Sequence, residues 1–155
     1  MAVSQRKKRG WGKKLLIAGL VLVLVGAGIY WYIATEKFAD TNDRKAAYSI
    51  DAIAFIREFQ PTDSAANLKY RGQIITLTGT VSEIEAADSA TLNIKFIDTT
   101  GSYAIFAFQE QHLAEAKEVK AGDKVSIKGS CSGGSYVSII EAERIEFQRS
   151  ALVKK

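Results

Sequence analysis

The 155 residues have room for one folded domain with appendages, and apolar residues at 47% with charged ones at 25% are ordinary for a folded chain. A formal charge of +4 invites a nucleic-acid reading, yet the basicity is local. Arg6, Lys7, Lys8, Arg9, Lys13 and Lys14 precede every acid, whereas Ala34 to Lys155 holds 15 Lys/Arg against 17 Asp/Glu, a net −2. One cysteine, Cys131, excludes an internal disulfide framework, and one proline with 12 glycines excludes a low-complexity or collagen-like chain.

Residues 1–14 form a basic tail expected in the cytoplasm. Leu15 to Ile33 then runs 19 residues without a charge. A helix of that length rises roughly 28 Å, close to the hydrocarbon thickness of a bilayer, and a helix satisfies its own backbone in lipid. Tyr30, Trp31 and Tyr32 at one end and Trp11 at the other suit the two interfaces, and the cationic flank predicts a cytoplasmic N-terminus. A single transmembrane helix is therefore expected, with the C-terminal domain extracytoplasmic. A cleaved signal peptide and a buried core helix are the competing readings. The apolar run is long for the former and ends in bulky aromatics, and it lacks the polar face of the latter. Gly19, Gly26 and Gly28 lack the spacing of a helix-dimer motif.

Residues 34–43 read as a polar linker and 44–149 as the folded domain, with a short tail at 150–155. Ala46, Ala47, Ile50, Ile53, Ala54 and Phe59 follow helical spacing, with Asn42 or Asp43 as N-cap and Pro61 as terminator. Residues 61–72 are a loop or a short second helix. After Gly72 the period falls to two. Ile75, Leu77, Gly79 and Val81 define a first strand, Leu92, Ile94 and Phe96 face inward in a second, and residues 102–108 make a third after a turn at 99–102. Residues 110–119 read as a helix of about ten residues. A fourth strand at 123–131, a turn at Ser132–Ser135 and a fifth strand to Phe147 complete the chain, every strand able to be antiparallel. This mainly β order, five strands with a helix between the third and fourth, is that of the OB-fold, a partly open barrel; here it carries a preceding packing helix and the transmembrane helix. Gly79 and Gly129 fit bends or bulges in coiled strands.

Ala65, Ala66, Asn67 and Tyr70 ahead of Gly72, the Thr78-Gly79-Thr80-Val81 strand, and Gly122-Asp123-Lys124-Val125 leading to Gly129 together resemble the tRNA-anti-like family of bacterial OB-fold proteins, over roughly Tyr48 to Phe147. The resemblance implies an OB-fold and a cell-envelope location behind a lipid or membrane anchor, which makes the bacterial inner membrane the expected site of the helix. Members often carry further cysteines near the positions of Ala107 and Ala142, so Cys131 is the remnant of a pair, expected as a small buried hydrophobe with a reactive thiol as the alternative.

No catalytic or cofactor site is expected, and the chain reads as a non-enzyme. His112, the only histidine, stands near Glu110 and Glu115 and reads as solvated surface; no Cys/His spacing suits a metal. Ser132–Ser135 lacks the lysine and helix that follow a phosphate-binding loop. Glu83, Glu85 and Asp88, and Glu141, Glu143 and Glu146, read as solvated edge acids. The expected function is a non-catalytic binding module that contacts a protein or envelope ligand. It would use Asn93, Lys95, Ile97, Tyr103 and Ile105, flanked by Glu85–Ser89 and Ser132–Tyr136. Tyr103 and Tyr136 are the leading aromatics; the alternative is that both pack at barrel ends. Single-stranded nucleic acid is the alternative ligand, through Lys95, Lys124 and Lys128, with the net −2 standing against it. An accessory role in a larger membrane complex is also compatible, and the expected partner of Leu15 to Ile33 is the lipid bilayer.

Overall fold

The computed structural model describes residues 11–35, 40–86 and 90–153, and the chain divides into two units, Met1–Phe38 and Ala39–Lys155. The basic tail at residues 1–10, the Trp11 side chain, Asp88 and Ser89 lie outside what is described. The first unit holds helix α1, Trp11–Thr35, whose stretch Lys13–Ile33 is long and apolar enough to cross a membrane. Its large apolar side chains are exposed by 52% at Val21 to 76% at Leu16. A core helix would bury a stripe, so that reading is corrected, which leaves a membrane anchor or a signal sequence.

In the second unit, Thr41–Asp43 form a 3-10 turn capped by Asp40, with Thr41 only 2% exposed. Strand β1 is Tyr48–Asp51, followed at once by helix α2, Ala52–Phe59, and helix α3, Asp63–Tyr70. The expected single helix, capped at Asn42 or Asp43 and ended by Pro61, is thus corrected. Its first turn is strand, because Ala47 N–H donates to the Ile74 carbonyl and Tyr48–Asp51 lies parallel to the next strand. The N-cap moves to Asp51, whose carboxylate accepts from Ile53 and Ala54 N–H. The buried stripe is accordingly Ala52, Phe55, Ile56 and Phe59, not the phase set by Ile50, Ile53 and Ala54.

Strands β2, Ile74–Thr80, and β3, Glu83–Ala86, replace the expected single first strand. Val81 bonds Gly122 and Asp123 on one side while Ser82 bonds Lys95 on the other, so the strand switches partners between two adjacent residues. Strands β4, Leu92–Ile97, and β5, Tyr103–Phe108, follow. A 3-10 turn at Glu110–His112 and the one-turn helix α4, Leu113–Ala116, stand in place of a ten-residue helix. Strands β6, Lys124–Val137, and β7, Ala142–Leu152, form a long hairpin.

Seven strands pair in the order β1-β2-β6-β7-β5-β4-β3, a mixed sheet that does not close into the expected five-stranded barrel. β1 with β2 and β5 with β7 are parallel, against the all-antiparallel expectation. Ser132–Ser135 is no turn: it lies inside β6, paired with β7, and the chain reverses between Val137 and Ala142. A β-bulge does fall at Gly129. Gly79, by contrast, is regularly paired, and its reason is close approach, because a Cβ there would sit 2.7 Å from Ala52 Cβ.

The inner face of the sheet is lined as the alternation predicts, with Leu92, Ile94 and Phe96 at 4%, 0% and 1% exposure. Ring contacts run from Phe96 through Phe106 and Phe147 to Phe55 on α2, with centroids 5.5, 4.4 and 5.6 Å apart. Helix α2 is thereby joined to the same core as β4, β5 and β7. Gln60 at its end also donates to Asp98 Oδ2, 2.6 Å away, in the turn before β5.

Candidate binding face

Cross-strand register assembles one outer face from β3, β4, β5, β7 and β6. Ile97, Tyr103, Arg144 and Ser135 stand in one row, and Lys95, Ile105, Glu146 and Gly133 in the next. Side chains alternate across a strand, so this is the face opposite Phe96, Phe106 and Phe147. Asn93 sits on it between Glu85 and Ala107. The expected set Asn93, Lys95, Ile97, Tyr103 and Ile105 is therefore brought together.

Tyr136 is not. It neighbours Ser135 along β6 and pairs with Glu143, which puts it on the opposite side, 56% exposed near the hairpin tip. Ile139 and Ile140 at that tip are 92% and 50% exposed.

The lysines differ in kind. Lys95 is 13% exposed at its side chain, bonded to Glu83 at 3.3 Å and to Glu85, and its Nζ lies 5.2 Å from the Tyr103 ring centroid. Burial alone would lower its pKa, but hydrogen bonds to Glu85 and Glu83 together hold it above the ordinary lysine value. Lys128 donates to the Asn42 and Arg44 carbonyls, both at 3.0 Å, and so fastens the segment that enters the domain. Lys124 borders a cleft of about 520 Å³ beside Glu115, Glu118 and Asp123. Of the three expected nucleic-acid lysines, two are spent on protein partners and the third stands among acids.

Other residues also differ from their sequence reading. His112 is 9% exposed, and its Nε2 lies 2.8 Å from Asp40 Oδ1, so it is an internal contact rather than solvated surface. Glu143 is 6% exposed, with Oε2 lacking a hydrogen bond; burial and then the nearby Asp63 push its pKa up. Cys131 is 1% exposed, and burial pushes its thiol up to about 11. No cluster that could hold a metal occurs among the described residues.

The residues behind the family resemblance turn out to brace the fold. Asn67 on α3 clasps β6, its Nδ2 donating to the Gly134 carbonyl and its Oδ1 accepting from Gly134 N–H, each at 2.8 Å. Tyr70 is fully buried, and its hydroxyl donates to Glu58 at 2.7 Å. Beside that clasp lies a groove of about 310 Å³ bounded by Asn67, Arg71, Ser132, Ser135, Arg144 and Glu146. The sequence reading missed Arg71 and Arg144. Nothing local marks them, because they meet only once α3 packs on β6 and β6 pairs with β7.

The chain is similar in structure to a Klebsiella pneumoniae subsp. pneumoniae protein provisionally named a nucleic acid-binding lipoprotein. The identity is 17% and the TM-score 0.54, covering 68% of this chain and 91% of that one. The likeness supports a shared fold. Weaker similarity extends to Entamoeba histolytica asparaginyl-tRNA synthetase in complex with asparaginyl-adenylate, at 14% identity and TM-score 0.39, over 55% of this chain and 21% of the synthetase chain. A chain of the S. pombe Stn1-ten1 complex matches at 15% identity and TM-score 0.36, over 53% and 59% of the two chains. No curated protein matches the sequence. The tRNA_anti-like family matches residues 7–142, spanning the apolar helix and most of the OB-like sheet. The chain belongs to the tRNA-anti-like family.

Proposed function

We propose that this protein is a membrane-anchored, non-catalytic binding module of the bacterial cell envelope. Its N-terminus is cytoplasmic, its OB-like domain is extracytoplasmic, and the outer face around Tyr103 takes a protein partner. One observation carries the choice of partner class. The strand-borne cations of that face are already matched, Lys95 by Glu83 and Glu85 and Arg144 by Glu146 at 3.0 Å. Non-specific nucleic-acid affinity comes mainly from cations free to replace counterions along the phosphates. A charge-matched face with a half-buried tyrosine and neighbouring isoleucines suits a largely neutral protein surface better. The alternative, single-stranded nucleic acid, draws support from Lys124 and Arg71, which have no ion pair among the described residues.

The test uses the full chain. A photo-crosslinker at Ile105 in native membranes is expected to trap a protein, and Tyr103→Ala to weaken the trapping with unfolding nearly unchanged. Oligonucleotide binding to the detergent-solubilised chain, followed by anisotropy at low ionic strength, is expected to be absent. Tight binding with a steep salt slope would replace the protein reading with the nucleic-acid one. Protease added to spheroplasts is expected to digest the domain from outside.

A further inference from the structure

We infer that the groove between α3 and the β6–β7 hairpin holds a single carboxylate of the partner protein, clasped by Arg71 and Arg144. The inference rests on the outer face being a protein-binding face, and it names what that face selects.

The groove is about 310 Å³, and Gly133 and Gly134 line it together with Arg71, Ser132, Ser135 and Arg144. Gly133 has φ of +112°, and a Cβ there would stand 2.6 Å from Asn67 Oδ1; Gly134 is held on both its N–H and its carbonyl by the same asparagine. Arg71 and Arg144 both border this groove. Arg71 is exposed, and its guanidinium has no ion pair or hydrogen bond among the described residues. Arg144 pairs through its Nε with Glu146, 3.0 Å away. A guanidinium offers five donors in a planar fork that matches a carboxylate. The hydroxyls of Ser132 and Ser135 have no hydrogen bond among the described residues and can serve the remaining lone pairs.

Charge decides the ligand class. Arg71 and Arg144 against Glu146 leave one excess positive charge in the groove. One carboxylate on an otherwise neutral segment balances it. A phosphodiester strand brings further negative charges, and these would meet Glu146, Glu83 and Glu85 along the same face. Arg144 stands in register with Tyr103, so an acid seated in the groove lays the flanking peptide across that ring.

The test is a titration of the isotope-labelled full chain in detergent micelles, reading the arginine Nε–H and Ser135 amide resonances. The probes are a blocked Gly-Tyr-Glu-Gly peptide, its Gln counterpart, inorganic phosphate and oligothymidylate. The Glu peptide is expected to shift Arg71, Arg144 and Ser135 saturably, with the Gln peptide and Arg71→Gln each weakening binding roughly fivefold or more, the loss of one charged bidentate contact. Equal response to the Glu and Gln peptides overturns the inference. So does tighter binding of phosphate or oligothymidylate. If Tyr103→Ala still weakens crosslinking in membranes while the Glu peptide leaves the arginines unmoved, the groove fails and the face stands. If neither responds, both fail.

Discussion

Replacing Asn67 by alanine removes both hydrogen bonds that join α3 to Gly134, each 2.8 Å long in a partly buried setting. Each is worth about 1 kcal/mol net, and leaving the Gly134 N–H and carbonyl poorly solvated adds to that, so the variant is expected to lose about 2–3 kcal/mol. For a domain of this size each kcal/mol lowers Tm by roughly 4 °C, which predicts a fall of roughly 8–12 °C. Asn67→Asp keeps the acceptor for Gly134 N–H but sets a carboxylate against the Gly134 carbonyl, so it is expected to recover little. The assay is thermal unfolding of the full chain in detergent, followed by circular dichroism in the sheet region, where α1 contributes a constant background. A Tm change below roughly 2 °C for Asn67→Ala, or full recovery in Asn67→Asp, would refute the brace.

Three further outcomes follow from the packing around Gly79, Glu143 and Cys131. Gly79→Ala puts a Cβ 2.7 Å from Ala52 Cβ, so denaturant unfolding is expected to show a loss of about 1–3 kcal/mol, relieved in part by Ala52→Gly. Glu143 has its folded pKa raised by burial and Asp63 above the 4.5 of a free glutamate, so the fold favours the protonated acid. Its penalty is absent below the unfolded value, grows as pH rises from there, and is full above the folded one; wild type should therefore lose stability relative to Glu143→Gln from about pH 5 upward in unfolding titrations. Cys131, its thiol pushed up to about 11 and 1% exposed, is expected to resist a thiol-disulfide reagent in the folded chain and to react once unfolded; rapid native labelling would return it to the reactive-thiol reading.

The elements legible in the sequence were those with a local period. The uncharged run declared itself by length, and the inward set of β4 by alternation, because each is a property of consecutive residues. Tyr48–Asp51 misled for the opposite reason. Its apolar spacing suits a helix, and only the parallel edge of β2, which gives those backbone groups partners, makes it a strand. Ser132–Ser135 carries turn chemistry and still lies in β6, since Asn67 and the β7 ladder supply hydrogen bonds on both sides. His112 and Glu143 looked like surface because burial of a lone polar residue leaves no periodic mark.

From the sequence alone came the apolar helix, the alternating strands, the family resemblance and the grouping of Asn93, Lys95 and Tyr103. Tertiary structure decided which charges remain free. Lys128 is spent on Asn42, 86 residues away in the chain; Asn67 holds Gly134 across 67; and Arg144 reaches Tyr103 only through the parallel pairing of β5 with β7. Periodicity is written in neighbours, whereas a hydrogen bond or ion pair between distant residues depends on the path the whole chain takes, and that path sets the character of the face.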